Sequence, residues 1–157
     1  MPAEYPEALS IEQDHPSRRL DAETLRRLIH HVVAAEETTL VHLSLVLTDH
    51  DTVRRLNQSY LDHDYDTDVL SFSLQEGPAP TASPDKDGIE GEVYVDLDTA
   101  AERHDEFDTS FEREACRYVV HGLLHLVGYD DAKPAGQAAM RANEDRYLDA
   151  VLSAPSS

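Results

Sequence analysis

Lysine, cysteine and tryptophan are almost missing from this chain of 157 residues. It contains no tryptophan, one cysteine (Cys116), and lysine only at positions 86 and 133. A single cysteine excludes a disulfide within the chain, and the apolar residues at helical spacing around it favour a small buried side chain over a catalytic thiol. No apolar run approaches membrane-spanning length, and residues 1–10 lack the segments of a secretory signal, so we expect a cytoplasmic protein with no membrane partner.

Positive charge is also scarce, with 13 basic against 32 acidic residues and a net charge of -19. Phosphate binding normally recruits lysine and arginine, so this balance argues against a nucleic-acid partner. An acid-rich, lysine-poor surface stays soluble when salt screens the repulsion between carboxylates. We therefore hypothesise adaptation to high salt, where metal contact and shape would matter more than a basic patch. An ordinary acidic cytosolic protein is the alternative.

The length is that of one domain, residues 1–157, with a single hydrophobic core. Apolar and β-branched runs predict strands at 7–12, 40–47, 69–74 and 92–97. Helical spacing predicts helices at 21–37, 49–60, 98–102, 109–127 and 136–152. Residues 75–90, which carry prolines at 78, 80 and 84, are expected to form a mobile loop inside the domain.

The order of these elements predicts an α+β fold, in which a small mixed β-sheet is packed with helices and the helix at 109–127 is central. The strands at 69–74 and 92–97 should pair antiparallel because no helix separates them. For the central helix, Thr109 with Glu112 three residues later has the spacing of a capping box, and Ser110 is the alternative cap.

The central helix carries two histidines four residues apart, His121 and His125, followed by Gly128, Asp130 and Asp131. Side chains at this spacing project from one face of a helix, so both imidazoles can bind one metal ion. The glycine would end the helix and turn the chain back, which brings a carboxylate to the ion as third ligand and leaves one position open for water. We predict Asp131 as this ligand, with Asp130 as its close competitor.

The residue after the first histidine limits which reaction this metal site can catalyse. Zinc peptidases with the pattern His-Glu-x-x-His take their general base from the glutamate, and this chain has Gly122 in that place. The site therefore indicates a different reaction, or a base that comes from elsewhere. The structural alternative is a pair of histidines buried together by chance, which the Gly-Tyr-Asp-Asp continuation disfavours.

The segment 121–131 resembles the signature His-Gly-x-Leu-His-Leu-x-Gly-Tyr-Asp-His of the YbeY family, bacterial metal-dependent endoribonucleases. Each fixed position matches except the last, where the family usually has a third histidine and this chain has Asp131. A carboxylate oxygen is an acceptable zinc ligand, so Zn²⁺ is the expected metal. Because this oxygen is a harder ligand than imidazole nitrogen, nickel, iron and manganese stay open as alternatives.

Three further segments extend the resemblance in the family's order along the chain. Leu-Asn-Gln-Ser-Tyr at 56–60 and Thr-Asp-Val-Leu-Ser-Phe at 67–72 are similar to two of its elements. Gly-Glu-Val-Tyr-Val at 91–95 is similar to the strand that precedes its metal helix. One departure matters: Leu61 stands where the family has an arginine, so a cationic contact to an RNA phosphate that the resemblance implies is missing.

The resemblance implies a zincin-like arrangement and cleavage of single-stranded RNA, at the 3′ end of small-subunit ribosomal RNA and in ribosome quality control. The ribosome and small-subunit assembly proteins would be its partners. His121, His125 and Asp131 would hold the metal ion, which would lower the pKa of a bound water and offset charge on the phosphate.

Other side chains near the histidines are candidates for catalysis. Arg117 lies one helical turn before His121, and Glu114 lies about two turns before it. Arg117 could contact the scissile phosphate or hold a carboxylate behind a ligand, and an ion pair with Glu114 is the structural alternative. Asp130 is a candidate general base by proximity. Tyr129 is expected mainly as a core aromatic, with a hydrogen bond to phosphate as the alternative.

Two other functions stay open on the sequence alone. A metallopeptidase of related fold is one, and Gly122 is the main argument against it. The other is a non-catalytic ribosome assembly factor, in which the metal ion only fastens the turn to the helix. The leucine at position 61 keeps that second function open.

Overall fold

The computed structural model describes residues 8–61, 69–73, 88–107, 109–129 and 134–152. Most of the loop predicted at 75–90 lies outside these ranges. Its end was placed too late, because Ile89 and Glu90 already belong to a strand.

Four strands in the described part of the chain form one sheet in the order β1-β2-β4-β3. Their bounds are Leu9–Gln13 for β1, Leu40–Thr48 for β2, Val69–Ser73 for β3 and Ile89–Asp96 for β4. Strands β1, β2 and β4 run parallel, and β3 pairs antiparallel with β4. The predicted antiparallel pairing is confirmed. Strand β4 begins three residues earlier than predicted because Ile89 already pairs with Leu40 of β2.

Five α-helices pack around the sheet in the described ranges: α1 (Ala22–Ala35), α2 (His50–Leu61), α3 (Leu97–Arg103), α4 (Phe111–Val127) and α5 (Pro134–Leu152). A short 3₁₀ helix, His104–Phe107, follows α3. Helices α1, α4 and α5 contact one another, and α4 also lies against β3 and β4. The predicted mixed sheet packed with helices is confirmed, and α4 is central to it. Among these helices, none combines the length and the apolar character that crossing a membrane requires.

The hydrophobic core lies between the sheet and these three helices. Side chains of β4 alternate between two faces of the sheet. Val93 and Val95 are fully buried on one face, and Glu92 and Tyr94 are half-buried on the other. Helix α4 adds a run of fully buried side chains, namely Ala115, Cys116, Val119, Val120, Leu123 and Leu124. Each buried leucine stabilises the fold by roughly 1.5–3 kcal/mol. Burial raises the pKa of the Cys116 thiol to about 12, so the thiol stays protonated, as a structural cysteine does.

The N-terminal end of α4 differs from the predicted capping box. The cap is Ser110, whose Oγ accepts from the backbone N–H of Arg113 at 3.0 Å. Thr109 is instead tied to the preceding 3₁₀ helix, because its N–H donates to the His104 carbonyl and its own carbonyl lies 3.0 Å from His104 Nδ1. The prediction that Thr109 caps the helix was wrong, since contacts to the preceding helix decide the position of this residue.

Helix α5 also begins earlier than predicted, at Pro134, and not at Gly136. Proline suits the first turn of a helix, because a backbone N–H at this position would have no acceptor within the helix. The buried residues of α5 are Met140, Glu144, Tyr147 and Leu148. A buried glutamate on this helix requires polar partners, and these lie on α4.

We expect the thermal unfolding midpoint to rise between low and molar concentrations of KCl. A net charge of -19 produces repulsion between carboxylates, which acts over about 30 Å at 0.01 M salt and only about 3 Å at 1 M. Circular dichroism melts across a series of KCl concentrations measure the shift. A higher midpoint in low salt would contradict the proposed salt adaptation.

Candidate metal centre

His121 and His125 lie on successive turns near the C-terminal end of α4, with ring centroids 4.6 Å apart. Their two Nε2 atoms are separated by 3.0 Å. Two imidazole nitrogens bound to one zinc ion at about 2.0–2.1 Å, with tetrahedral angles, would be separated by about 3.3 Å. The two atoms therefore converge nearly as two ligands of one ion do, and this separation also fits a direct N–H···N hydrogen bond.

Behind the first histidine lies Glu144 of α5, a residue that reasoning from the sequence missed. Glu144 Oε2 lies 2.8 Å from His121 Nδ1, and its side chain is only 5% exposed. A carboxylate acceptor requires the proton on Nδ1, which leaves His121 Nε2 with a lone pair for a metal ion. Metal-binding histidines almost always have such a partner. The donor set formed by the two histidines therefore fits a divalent cation. The signal for Glu144 in the sequence was its place four residues after Met140, beside the apolar stripe of α5.

Arg117 holds this glutamate in place. Its two terminal nitrogens donate to Glu144 Oε1 at 3.0 Å and to Asp145 Oδ1 at 2.6 Å. Burial by itself would lower the pKa of Arg117, but the hydrogen bonds to Asp145 and Glu144 raise it above the usual value. The guanidinium thus stays charged and reaches α5, and it does not form the intrahelical pair with Glu114 that was the structural alternative. Arg117 contacts a carboxylate that lies behind a candidate ligand.

The turn after α4 is anchored to two other helices. Helix α4 ends at Gly128, whose φ of 126° is a conformation that favours glycine, as predicted. The Tyr129 hydroxyl donates to the Glu36 carboxylate at 3.0 Å, and Asn143 Nδ2 donates to the same hydroxyl at 3.1 Å. Burial and the bond to Glu36 raise the pKa of Tyr129, so this hydroxyl remains a donor. Tyr129 packs against the core, as the first of its two predicted roles requires.

Asp130 and Asp131, the predicted general base and third ligand, lie outside the described residues. Residues 67 and 68, which begin the segment 67–72 that resembles the family, lie outside them as well. Leu61 is the last residue of α2. Within the described ranges, no third histidine, cysteine or carboxylate joins His121 and His125 in a metal-binding group. A third ligand to the pair therefore stays a prediction, with Asp131 as our candidate.

Packing around Gly122 disfavours a glutamate at this position. A Cβ atom at Gly122 would lie 2.7 Å from Val93 Cγ1 and 3.1 Å from Ser71 Oγ. Ser71 Oγ also donates to the Gly122 carbonyl at 3.1 Å. Any side chain at position 122 would collide with β3 and β4, and relieving such overpacking costs typically about 1–3 kcal/mol. The way α4 packs on the sheet therefore disfavours the peptidase pattern.

Comparison with known proteins gives the family of this chain. The family profile described as endoribonuclease YbeY matches residues 10–152. The chain belongs to the endoribonuclease YbeY family. Endoribonuclease YbeY of Salinibacter ruber is 82% identical over 157 residues, which is 100% of both chains. Endoribonuclease YbeY of Chlorobium phaeovibrioides is 36% identical over 141 residues, 89% of each chain. The family resemblance predicted from the motifs is confirmed.

A solved structure has a similar fold over most of its length. The solution structure of TM1509 from Thermotoga maritima aligns with a TM-score of 0.62 and 28% sequence identity. The alignment covers 92% of this chain and 89% of that chain. The similarity therefore extends over most of the fold and is not confined to one motif.

Proposed function

We propose that this member of the YbeY family is a metal-dependent endoribonuclease that hydrolyses phosphodiester bonds in single-stranded RNA. The observation that carries the proposal is the convergence of His121 Nε2 and His125 Nε2 at 3.0 Å, with Glu144 behind His121. Family membership along the whole chain supports the ribonuclease chemistry. The packing of Gly122 disfavours a metallopeptidase.

In this proposal, His121, His125 and Asp131 hold one divalent ion, Zn²⁺ by the donor set, with Ni²⁺ or Fe²⁺ as alternatives. Such an ion, once bound, supplies Lewis-acid chemistry that acidifies water and offsets charge on the phosphate. Glu144 keeps His121 in the tautomer that can bind metal, and Arg117 holds the Glu144 carboxylate in position. We assign Arg117 a positioning role because its guanidinium already makes two ion pairs.

Asp130 stays our candidate for the general base because it lies close to the two histidines along the chain. Single-stranded RNA is the proposed substrate because its bases are exposed and its backbone can bend into a cleft. The family resemblance leads us to propose the 3′ end of small-subunit ribosomal RNA as the target. It also leads us to propose the ribosome and its small-subunit assembly proteins as partners, the cytoplasm as location, and residues 1–157 as one domain.

Removing the metal is expected to stop RNA cleavage reversibly. The protein is treated with EDTA, dialysed, and assayed on labelled single-stranded and double-stranded RNA before and after addition of Zn²⁺, Ni²⁺ or Mn²⁺. We expect cleavage of the single strand to disappear with EDTA and to return with at least one of these ions, because the ligating nitrogens remain in place. Cleavage that survives EDTA, or that acts on casein and not on RNA, would contradict the proposal.

A further inference from the structure

A cavity of about 380 Å³ opens beside His121, between α3, α4, α5 and the start of β3. Its charged and ligating wall residues are Arg103, Glu114, Arg117, His121, Arg141 and Glu144. The wall carries three arginines and two glutamates, and Asp145 and Glu106 pair with Arg117 and Arg103 from outside it. The volume is within the range of roughly 300–1,000 Å³ that is typical of small-ligand sites. A part of a single strand can enter such a space, and a duplex cannot.

Two helix faces bring these residues together. On α4, Glu114, Arg117 and His121 are spaced by three and four residues, and on α5, Gln137, Arg141 and Glu144 have the same kind of spacing. Residues at these spacings share one side of a helix, so both helices direct polar side chains to the same cavity. The candidate ligand His121 and the cation Arg141 therefore belong to one continuous polar wall.

The arginines of this wall differ in their partners. Arg117 is fully engaged by Glu144 and Asp145. Arg103 lies 3.9 Å from Glu106 in a pair whose side chains are 43% and 62% exposed, so this pair contributes little, and Arg103 makes a further contact besides it. Arg141 is exposed and forms no ion pair within the described ranges. Among the described residues, no carboxylate pairs with Arg141, so its guanidinium can donate to an anion that enters the cavity.

We propose that Arg141, together with Arg103, binds a phosphate group of the RNA strand next to the phosphate that is cleaved, which makes the cavity a subsite for a neighbouring nucleotide. The inference rests on the proposed ribonuclease function and adds residues that the histidine site does not contain. Guanidinium groups suit this role because two of their N–H groups can donate to one phosphate. The two arginines come from different helices, so they can hold a phosphate from two sides of the cavity.

Binding and cleavage of a short fluorescein-labelled single-stranded RNA test this inference. Fluorescence anisotropy, read before cleavage is detectable, gives the Kd over a series of KCl concentrations for wild type, Arg141→Gln, Arg103→Gln and the double variant. We expect each single variant to raise the Kd about three- to tenfold at low salt and to reduce the slope of log K against log salt by about 0.7. In the cleavage assay we expect KM to rise while kcat stays close to that of wild type.

Arg27→Gln is the matched control, because it removes the same charge from an exposed position of α1 that does not line the cavity. If Arg141 only stabilised the fold, Arg141→Gln would lower the melting temperature without changing the slope of log K against log salt, and the subsite would be overturned. An unchanged Kd and slope in Arg141→Gln and in the double variant, with RNA still cleaved, would overturn the subsite and leave the ribonuclease function standing. Failure of wild type to bind or cleave RNA would overturn both. If Arg27→Gln raised the Kd as much as Arg141→Gln does, the effect would come from the overall charge of the protein, and the subsite would also be overturned.

Discussion

His125→Ala is expected to lose bound metal and to reduce RNA cleavage at least about 100-fold, while the protein remains folded. The variant removes one of the two nitrogen donors that converge at 3.0 Å and leaves the other with Glu144 behind it. The side chain of His125 is half-buried at the edge of the core, so its loss should affect packing little. Elemental analysis of the purified protein, a cleavage assay and a thermal melt measure the three effects.

His30→Ala is the control for this prediction, because it removes an exposed histidine of α1 without touching the site. It should keep wild-type metal content and cleavage. Full metal content and cleavage in His125→Ala would show that the pair is not a metal centre. Unfolding of His125→Ala, together with unfolding of wild type in EDTA, would favour the alternative in which metal only stabilises the turn.

Glu144→Gln is expected to weaken metal binding by about 10–100-fold. The glutamate accepts from both Arg117 and His121, and glutamine has only one acceptor oxygen for these two donors. If that oxygen faces Arg117, the amide N–H₂ faces His121 Nδ1 and favours the tautomer with its proton on Nε2. The proton would then occupy the nitrogen that has to bind the metal. Competition with a chromophoric chelator measures the metal affinity of both proteins.

Asp145→Asn provides the matched comparison, because Asp145 is the other carboxylate that pairs with Arg117 and is much more exposed than Glu144. It should change the metal affinity far less, since it does not contact His121. Thermal melts in EDTA should be similar for wild type and Glu144→Gln if the effect acts through the tautomer. Equal metal affinities of Glu144→Gln and wild type would rule out this positioning role.

Several features of the fold and of the candidate site could be predicted from residues that lie close together along the chain. The spacing of His121 and His125 requires only that the segment is helical, so their shared face could be predicted from five residues of sequence. The end of the helix at Gly128 followed in the same way from one residue that tolerates positive φ. The antiparallel pair of β3 and β4 followed from the absence of a helix between them.

Neighbours that are distant along the chain could not be predicted in this way. Glu144 reaches His121 from another helix, and Glu36 reaches Tyr129 across 93 positions of the chain. Such contacts depend on how α1, α4 and α5 pack, and no periodicity within one helix contains that information. The error at the start of α4 has the same cause, because Thr109 is held by bonds to His104 and cannot act as the cap.

The sequence by itself determined the family, the mixed α+β character and the pair of histidines on one helix, because each follows from residues close together along the chain. The tertiary structure alone decided which carboxylate stands behind His121, why position 122 has no room for a side chain, and which arginines share a cavity with the site. These features arise where α4 meets α5 and the sheet. The physical reason is that a buried polar group must find its partner in space, and packing of the hydrophobic faces brings that partner within reach.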